Sequence, residues 1–256
     1  MLKNTTLAAI VRDEEFNPSG GIGRFLEATL PYVEEAIIVD TGSKDRTKDI
    51  LSDAKKNYPH LRVVERAFDD FASSRNVSLK LVNTKKALVL DADEIIMPEE
   101  FKALGEFIER KPARHYGFTF KVVYSCDVVL NTVANIEYVR LFDVKGARYV
   151  VSKDKGHWED LHLRSGFRGI VDVPTEVAMI KHFKSSRHAD EIKSLDWYGK
   201  QLYRTCSPFD HAKEWEWKLE CSARKFFDDG PKLREAGILF PRLVDYSRYE
   251  QTKSGR

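Results

Sequence analysis

Between Leu7 and Ile108, short apolar runs alternate with amphipathic helical patterns, and this alternation limits the fold more than any other feature of the chain. Leu7 to Val11 is the first run; Ile22, Phe25, Leu26, Thr29, Leu30 and Val33 then recur at helical spacing on one face. Ala36 to Val39 reads as a second strand, and Thr47, Ile50, Leu51, Ala54 and Tyr58 as a second helix closed by Pro59. Leu61 to Val64 is a third strand, Arg75 to Val82 a helix, and Ala87 to Leu90 a fourth strand. Met97, Phe101, Leu104 and Ile108 line one more helix, with Pro98 in its first turn, where a missing N–H costs nothing. Short strands separated by helices predict an α/β fold, a doubly wound, mostly parallel sheet with helices on both faces. Ligands of such sheets bind at the carboxyl ends of the strands.

After residue 114 the pattern changes. Phe118 to Cys126, Val128 to Ile136, Val139 to Phe142 and Arg148 to Val151 read as a small antiparallel part. From Ala189 onward helical patterns return, carrying Trp197, Tyr198, Trp215 and Trp217 as packing aromatics. The expected organisation is one domain over 1–188, with halves 1–114 and 115–188, and a helical C-terminal extension over 189–256. A chain of 256 residues that is 42% hydrophobic and 11% aromatic is not a disordered polymer. Lys and Arg number 42 against 40 Asp and Glu, a net +2, too even for binding nucleic acid chiefly by neutralising phosphates. Cys126, Cys206 and Cys221 are an odd, widely spaced set without a Cys-x-x-Cys pair, which points to a reducing compartment such as the cytoplasm. The start, from Met1 to Thr6, lacks a signal-peptide run, and no stretch reaches the ~20 apolar residues that span a bilayer. The expectation is a soluble protein, with room for peripheral membrane association through the aromatic C-terminal part.

Strand ends carry the chemistry. Leu88 to Leu90 runs into Asp91, Ala92, Asp93 and Glu94, so Asp91 and Asp93 point the same way if the chain stays extended. Such hard oxygens suit Mg²⁺ or Mn²⁺, with a diphosphate supplying further ligands; the alternative is an acidic strand end that caps the next helix. Val39 ends at Asp40 and turns through Gly42 towards a helix, with Ser43 or Asp45 as N-cap. There Asp40 is placed to accept a hydrogen bond from a base or ribose. Phe68 to Asn76 reads as an aromatic clamp and a helix N-terminus; Arg75 is a surface charge unless a diphosphate lies near its fork. Gly20, Gly21 and Gly23 lack the full Gly-x-Gly-x-x-Gly spacing and read as a turn into a helix.

Taken in order and spacing, Ala8 to Glu15, Val39 to Thr47, Asp70 to Asn76 and Leu90 to Glu94 resemble the family 2 glycosyltransferases over residues 5–100, most of all the branch with lipopolysaccharide-core sugar transferases. The resemblance implies a GT-A fold that binds a nucleotide-sugar and Mn²⁺ or Mg²⁺. It implies nucleoside contacts from Val11, Arg12 and Asp13, a contact of Asp40 with the base (most familiarly uracil), and Arg75 near the nucleotide or its diphosphate. Asp91, Ala92 and Asp93 match the family's Asp-x-Asp motif, with Asp93 the direct metal ligand and Asp91 its ribose or outer partner and second candidate ligand. Beyond residue 115 the resemblance thins. Arg140, Leu141 and Phe142 resemble an Arg-Leu-Phe segment of the branch. Where a His-Glu pair is expected, Trp158 separates His157 from Glu159, so the register departs. Glu159 and Asp160 also resemble the acidic x-Glu-Asp motif in which one acid is the base, Asp160 being preferred over Glu159. His182 resembles a later histidine that helps to hold metal or diphosphate.

These implications describe an inverting glycosyltransferase with a UDP-sugar as favoured donor and a glycan or glycolipid hydroxyl as acceptor. A sugar-phosphate nucleotidyltransferase is the nearest rival, but its Gly-rich loop follows the first strand directly, where this chain has Arg12 to Glu15. A catalytically silent sugar-nucleotide-binding protein is the other.

Overall fold

The computed structural model describes residues 1–15, 17, 19, 21–124, 129–132, 139–152 and 159–184. Cys126, Cys206, Cys221, His157, Trp158 and the helical extension expected over 189–256 lie outside the described residues. In chain order the elements are β1 (Leu2–Val11), α1 (Gly21–Thr29), β2 (Val33–Asp40), α2 (Thr47–Asn57), β3 (Leu61–Glu65), α3 (Phe71–Leu81), β4 (Lys86–Val89), β5 (Glu94–Ile95) and α4 (Pro98–Arg110). There follow β6 (His115–Gly117), β7 (Phe120–Tyr124), β8 (Val129–Thr132), β9 (Val139–Asp143), β10 (Arg148–Val151), β11 (Glu159–His162), β12 (Ile170–Asp172) and β13 (Ile180–Lys184).

The main sheet runs β12-β6-β9-β4-β1-β2-β3. Strands β4, β1, β2 and β3 are parallel neighbours, and β9 alone runs against them between β4 and β6. Alternate residues divide the core. Leu7, Ala9, Leu88 and Leu141 meet Phe25 of α1, Leu51 of α2 and Phe101 of α4 on one face. Ala8, Ala87, Val89 and Phe142 meet Ala72 and Leu79 of α3, with Tyr149 of β10, on the other. Helices and the β10–β11 ribbon thus cover both faces, which is why the central strands are apolar throughout rather than alternating. A smaller sheet, β5-β13-β7-β8, stands beside the main one. This is the α/β architecture that the alternation predicts.

Several boundaries differ from the sequence expectation. Val33 opens β2 rather than closing the first helix, because Pro31 cannot continue the hydrogen-bond ladder and Leu30–Tyr32 tightens into a 3-10 turn. The third helix starts at Phe71, four residues early, because Asp70 Oδ1 accepts from the Ser73 N–H at 2.7 Å and caps it. The strand expected from Phe118 starts at Phe120 as β7 of the smaller sheet, and a short strand that the sequence did not mark, β6, precedes it in the main sheet and ends at Gly117. The second half is also not wholly antiparallel, since β12 with β6 and β13 with β7 are parallel pairs. Among the described residues no helix is long and apolar enough to cross a membrane.

Helix α4 shows how local signals set the frame. Pro98 opens it, Glu100 Oε2 accepts from the Met97 N–H at 2.8 Å, and Glu99 and Glu100 face the positive end of the helix dipole. Phe101 is fully buried, its ring stacked on Tyr32 at 4.7 Å. Truncating it leaves a cavity beneath the sheet. Phe101→Ala is expected to lower stability by about 3–5 kcal/mol, measured by urea unfolding.

Candidate active site

The carboxyl ends of β1, β2 and β4 lie side by side, Val11 being paired with Asp40 in register. The two loops that leave β1 and β2 are sewn together. Thr41 donates to the Val11 carbonyl through its N–H at 2.9 Å and its hydroxyl at 3.0 Å. Asp13, held at φ +53, accepts from the Lys44 N–H at 2.7 Å, while its own N–H donates to Ser43 Oγ at 3.0 Å. Arg12 lies beside Asp13, its Nε 3.7 Å from Oδ2. Asp45 Oδ1 accepts from the Thr47 N–H at 2.9 Å, so Asp45 supports the start of α2 from two residues back, whereas Ser43 supports Asp13. Asp40 is fully buried. Its Oδ1 accepts from the N–H groups of Gly42 and Ser43, both at 2.8 Å, and its Oδ2 has no hydrogen-bond partner. A buried carboxylate oxygen left so is costly unless a ligand meets it.

The Asp91–Glu94 turn follows β4. Arg75, on α3, donates through Nη2 to Asp91 Oδ1 at 2.6 Å and through Nε to Glu159 Oε1 at 2.5 Å. Its guanidinium lies over the Tyr149 ring at 5.6 Å. Arg140, on β9, donates to Glu94 Oε1 at 2.5 Å and lies 3.9 Å from Asp91 Oδ2. Burial opposes the charge on Asp91, but Arg75 and then Arg140 outweigh it and hold the carboxyl down at about 2. Burial also pushes the Tyr149 hydroxyl up to about 12, against the pull of both guanidiniums. Glu94, fully buried, is raised by the same loss of water, with Arg140 pulling the other way. Asp93 faces the other side of the turn, its Oδ2 3.5 Å from His182 Nε2 on β13. Both side chains keep contact with solvent, at 32% and 22% exposure.

The loop between β1 and α1 also braces this turn. Asn17 Nδ2 and Ser19 Oγ both donate to the Ala92 carbonyl at 3.0 Å, and Asn17 Oδ1 collects the N–H groups of Ser19 and Gly21. Gly21, at φ +84, then turns the chain into α1, as the glycine cluster predicts.

The structure therefore brings Arg75, Asp91, Asp93, Glu159 and His182 to one end of the sheet, with Val11, Arg12, Asp13 and Asp40 beside them. It does not bring Asp160 in. Successive residues of a strand face opposite ways, and in β11 Glu159 faces Arg75 while Asp160, paired with Val150, lies exposed on the outer face. Arg75 is a buried linker between two carboxylates rather than the surface charge that its segment alone implies. The Val11 and Ala92 carbonyls and one Asp13 oxygen are engaged within the protein. Glu94 and Asn17 had no role in the sequence reading, and Arg140 only a motif match. Their signals were present: a carboxylate directly before Ile95 and Ile96, and an arginine inside the apolar run Val139 to Phe142, both need buried partners.

Among the described residues no three His, Cys, Asp or Glu side chains gather into a self-sufficient metal site. Asp93 and His182 supply a carboxylate and an imidazole, two partly exposed donors of the kind that suits Mn²⁺ once ligand oxygens fill the other positions.

Solved structures that share the fold of this chain define its class as GT-A. Staphylococcus aureus TarS (residues 1–349) in complex with UDP matches with a TM-score of 0.54 and 14% identity, over 90% of this chain and 71% of that one. The same TarS segment in complex with UDP-GlcNAc matches at 0.52 and 17% identity, over 73% and 59%. The glycosyl transferase family 2 model matches residues 16–183, and the chain belongs to that family. Two relatives share shorter stretches. A TPR repeat-containing protein of Synechococcus elongatus is 34% identical over 113 residues, 44% of this chain and 26% of the relative. The uncharacterized glycosyltransferase YibD of Escherichia coli is 30% identical over 70 residues, 27% of this chain and 20% of the relative. The chain thus spans about a quarter or less of either relative's length.

The Asp91 pairing gives a pH signature. Its folded carboxyl titrates at about 2 against an ordinary 3.8, so the pairing stabilises the fold above 3.8 and is lost as pH falls towards 2. Asp91→Asn is expected to melt below the wild type at neutral pH, and the difference in Tm should shrink between about pH 4 and pH 2. A constant difference across that range contradicts the pairing.

Proposed function

We propose that the protein transfers a sugar, with inversion, from a nucleoside-diphosphate sugar to a hydroxyl of a glycan or glycolipid, with Mn²⁺ or Mg²⁺ held by Asp93 and His182. The observation that carries this reading is the gathering of Asp93, His182, Asp91, Arg75 and Glu159 at the carboxyl ends of the parallel strands, beside a buried Asp40 with one free oxygen. Asp91, Asp93, Glu94 and Glu159 exceed the guanidiniums of Arg75 and Arg140 by two charges, an excess that one divalent cation cancels. Bound there, the cation neutralises charge growing on the departing diphosphate.

The chain's own groups do the rest. Asp40 Oδ2 accepts a hydrogen bond from a base that carries an imide N–H, which favours UDP over cytidine donors. The TarS structures that share the fold hold UDP and UDP-GlcNAc, and this supports the same donor class here. Asp91, clamped between two arginines, keeps its charge and leaves Asp93 as the direct ligand. Glu159 takes the acceptor proton. The order of the two candidate bases is reversed from the sequence reading, because Glu159 faces the cluster and Asp160 faces out. Arg75 holds the Glu159 carboxylate in place through its Nε.

Donor turnover tests this, with UDP-, GDP- and dTDP-sugars offered with Mn²⁺ or Mg²⁺ and either lipid-linked or soluble glycan acceptors. The expected result is metal-dependent release of UDP, lost by a factor of at least about 100 in Asp93→Ala. Undiminished metal-dependent transfer by Asp93→Ala would sink the assignment. Pyrophosphate from a sugar phosphate and a nucleoside triphosphate would instead mark a nucleotidyltransferase, and donor binding without turnover a silent binding protein. Of the acids, Glu159→Gln is expected to lower kcat by about 10²–10⁴ and Asp160→Asn to leave it near wild type.

A further inference from the structure

Beyond their formal charges Glu94 and Arg140 have no assigned part in the chemistry, yet the turn that carries Asp93 and the strand that carries His182 are both tied to them. The Asp91–Glu94 turn is closed twice: the Glu94 N–H donates to the Asp91 carbonyl at 2.9 Å, and the Asp91 N–H donates to Glu94 Oε2 at 3.0 Å. Asp93 is held inside that ring. The second oxygen of Glu94 takes Arg140 Nη2 at 2.5 Å. A fully buried carboxylate cannot turn to water, so this geometry is the one that satisfies both its oxygens.

The same pair joins the two sheets. Arg140 belongs to β9 of the main sheet, and Glu94 belongs to β5 of the smaller one. In the smaller sheet Glu94 is paired in register with His182 of β13. Phe120 adds a second link: the Arg140 guanidinium lies over its ring at 5.3 Å, and the His182 ring meets it edge-on at 6.1 Å. Asp93 is the residue before Glu94, and His182 is its register partner. The Arg140–Glu94 bond therefore sets where both stand relative to the main sheet and to Asp91, which Arg140 approaches at 3.9 Å.

We infer that Glu94 and Arg140 are positioning residues: by locking the Asp91–Glu94 turn to β9 they hold Asp93 aimed at His182, and so set the affinity of the site for a divalent cation. Neither needs to touch the cation or the sugar. The inference rests on the cation site of the proposed function.

Mn²⁺ binding, measured by electron paramagnetic resonance in the presence of UDP, tests it without reference to turnover. Wild type is expected to bind Mn²⁺ with a nitrogen hyperfine signature from His182. Glu94→Gln keeps the shape but removes the charge that Arg140 needs, and is expected to weaken Mn²⁺ binding by about 10–100-fold, the loss typical when an outer partner of a ligand is removed. The nitrogen signature should fall with it, while UDP binding without metal stays within about twofold of wild type. A second variant, Glu94→Leu with Arg140→Met, replaces the buried pair by apolar groups of similar volume, an exchange that buried ion pairs tolerate. It is expected to melt near wild type and still lose Mn²⁺ affinity, which separates aiming from folding. Wild-type affinity and an intact nitrogen signature in either folded variant overturn the positioning role alone. If wild type binds no Mn²⁺ with UDP, the cation site itself falls, and this inference with it.

Discussion

The buried contact of Arg75 with Asp91 and Glu159 is the interaction on which the arrangement of this molecule turns. It joins α3, the end of β4 and the β10–β11 ribbon, three elements that share no backbone ladder with one another. A guanidinium this deep survives only when carboxylates and an aromatic face replace its water, and Arg75 has Asp91, Glu159 and Tyr149. Removing one partner leaves an uncompensated buried charge, so the contact fixes the geometry of the elements it joins as well as holding Asp91 ionised. Arg140 repeats the device on the far side of Asp91, with Glu94 as its carboxylate and Phe120 as its aromatic face.

This duplication explains how a turn of four residues, far from any helix interior, can present Asp93 in a defined direction. Arg75 approaches from α3 and Arg140 from the main sheet, Asn17 and Ser19 grip the Ala92 carbonyl from the loop after β1, and the register of β5 with β13 brings His182 alongside. The Asp40 side is built differently. Backbone N–H groups of the Gly42–Ser43 turn hold one carboxylate oxygen and leave the other bare in the interior. One half of the site is thus an ion-pair lattice and the other a hydrogen-bonded loop pair. Both belong to the strand ends that a doubly wound sheet leaves open.

Much of this was legible locally. The strands β1, β2, β3 and β4 and helices α2 and α4 follow from apolar period and from Pro59 and Pro98, because each element buries a face that its own sequence encodes. Where local signals compete, the boundary moves: Asp70 starts α3 before its first periodic residue, and Pro31 hands Val33 to β2. The separate strand β6 was not legible, because the three residues His115–Gly117 are too few to show a period. The site divides in the same way. Asp40, Asp91 and Asp93 were marked by their places at strand ends. Glu94 and Arg140, 46 residues apart, carried only the general signal of a charge in an apolar setting.

The sequence by itself determined a mostly parallel α/β sheet and the acidic strand ends that line its open edge, since periodicity and turn residues act within a dozen residues or so of one another. Only the tertiary structure decided which charges meet. Arg75 and Glu159 are separated by 84 residues, and nothing in either segment names the other. It also decided which of Glu159 and Asp160 meets Arg75. Both acids are adjacent in sequence, but a strand turns neighbours to opposite faces, and the packing of the β10–β11 ribbon on α3 determines which face looks inward.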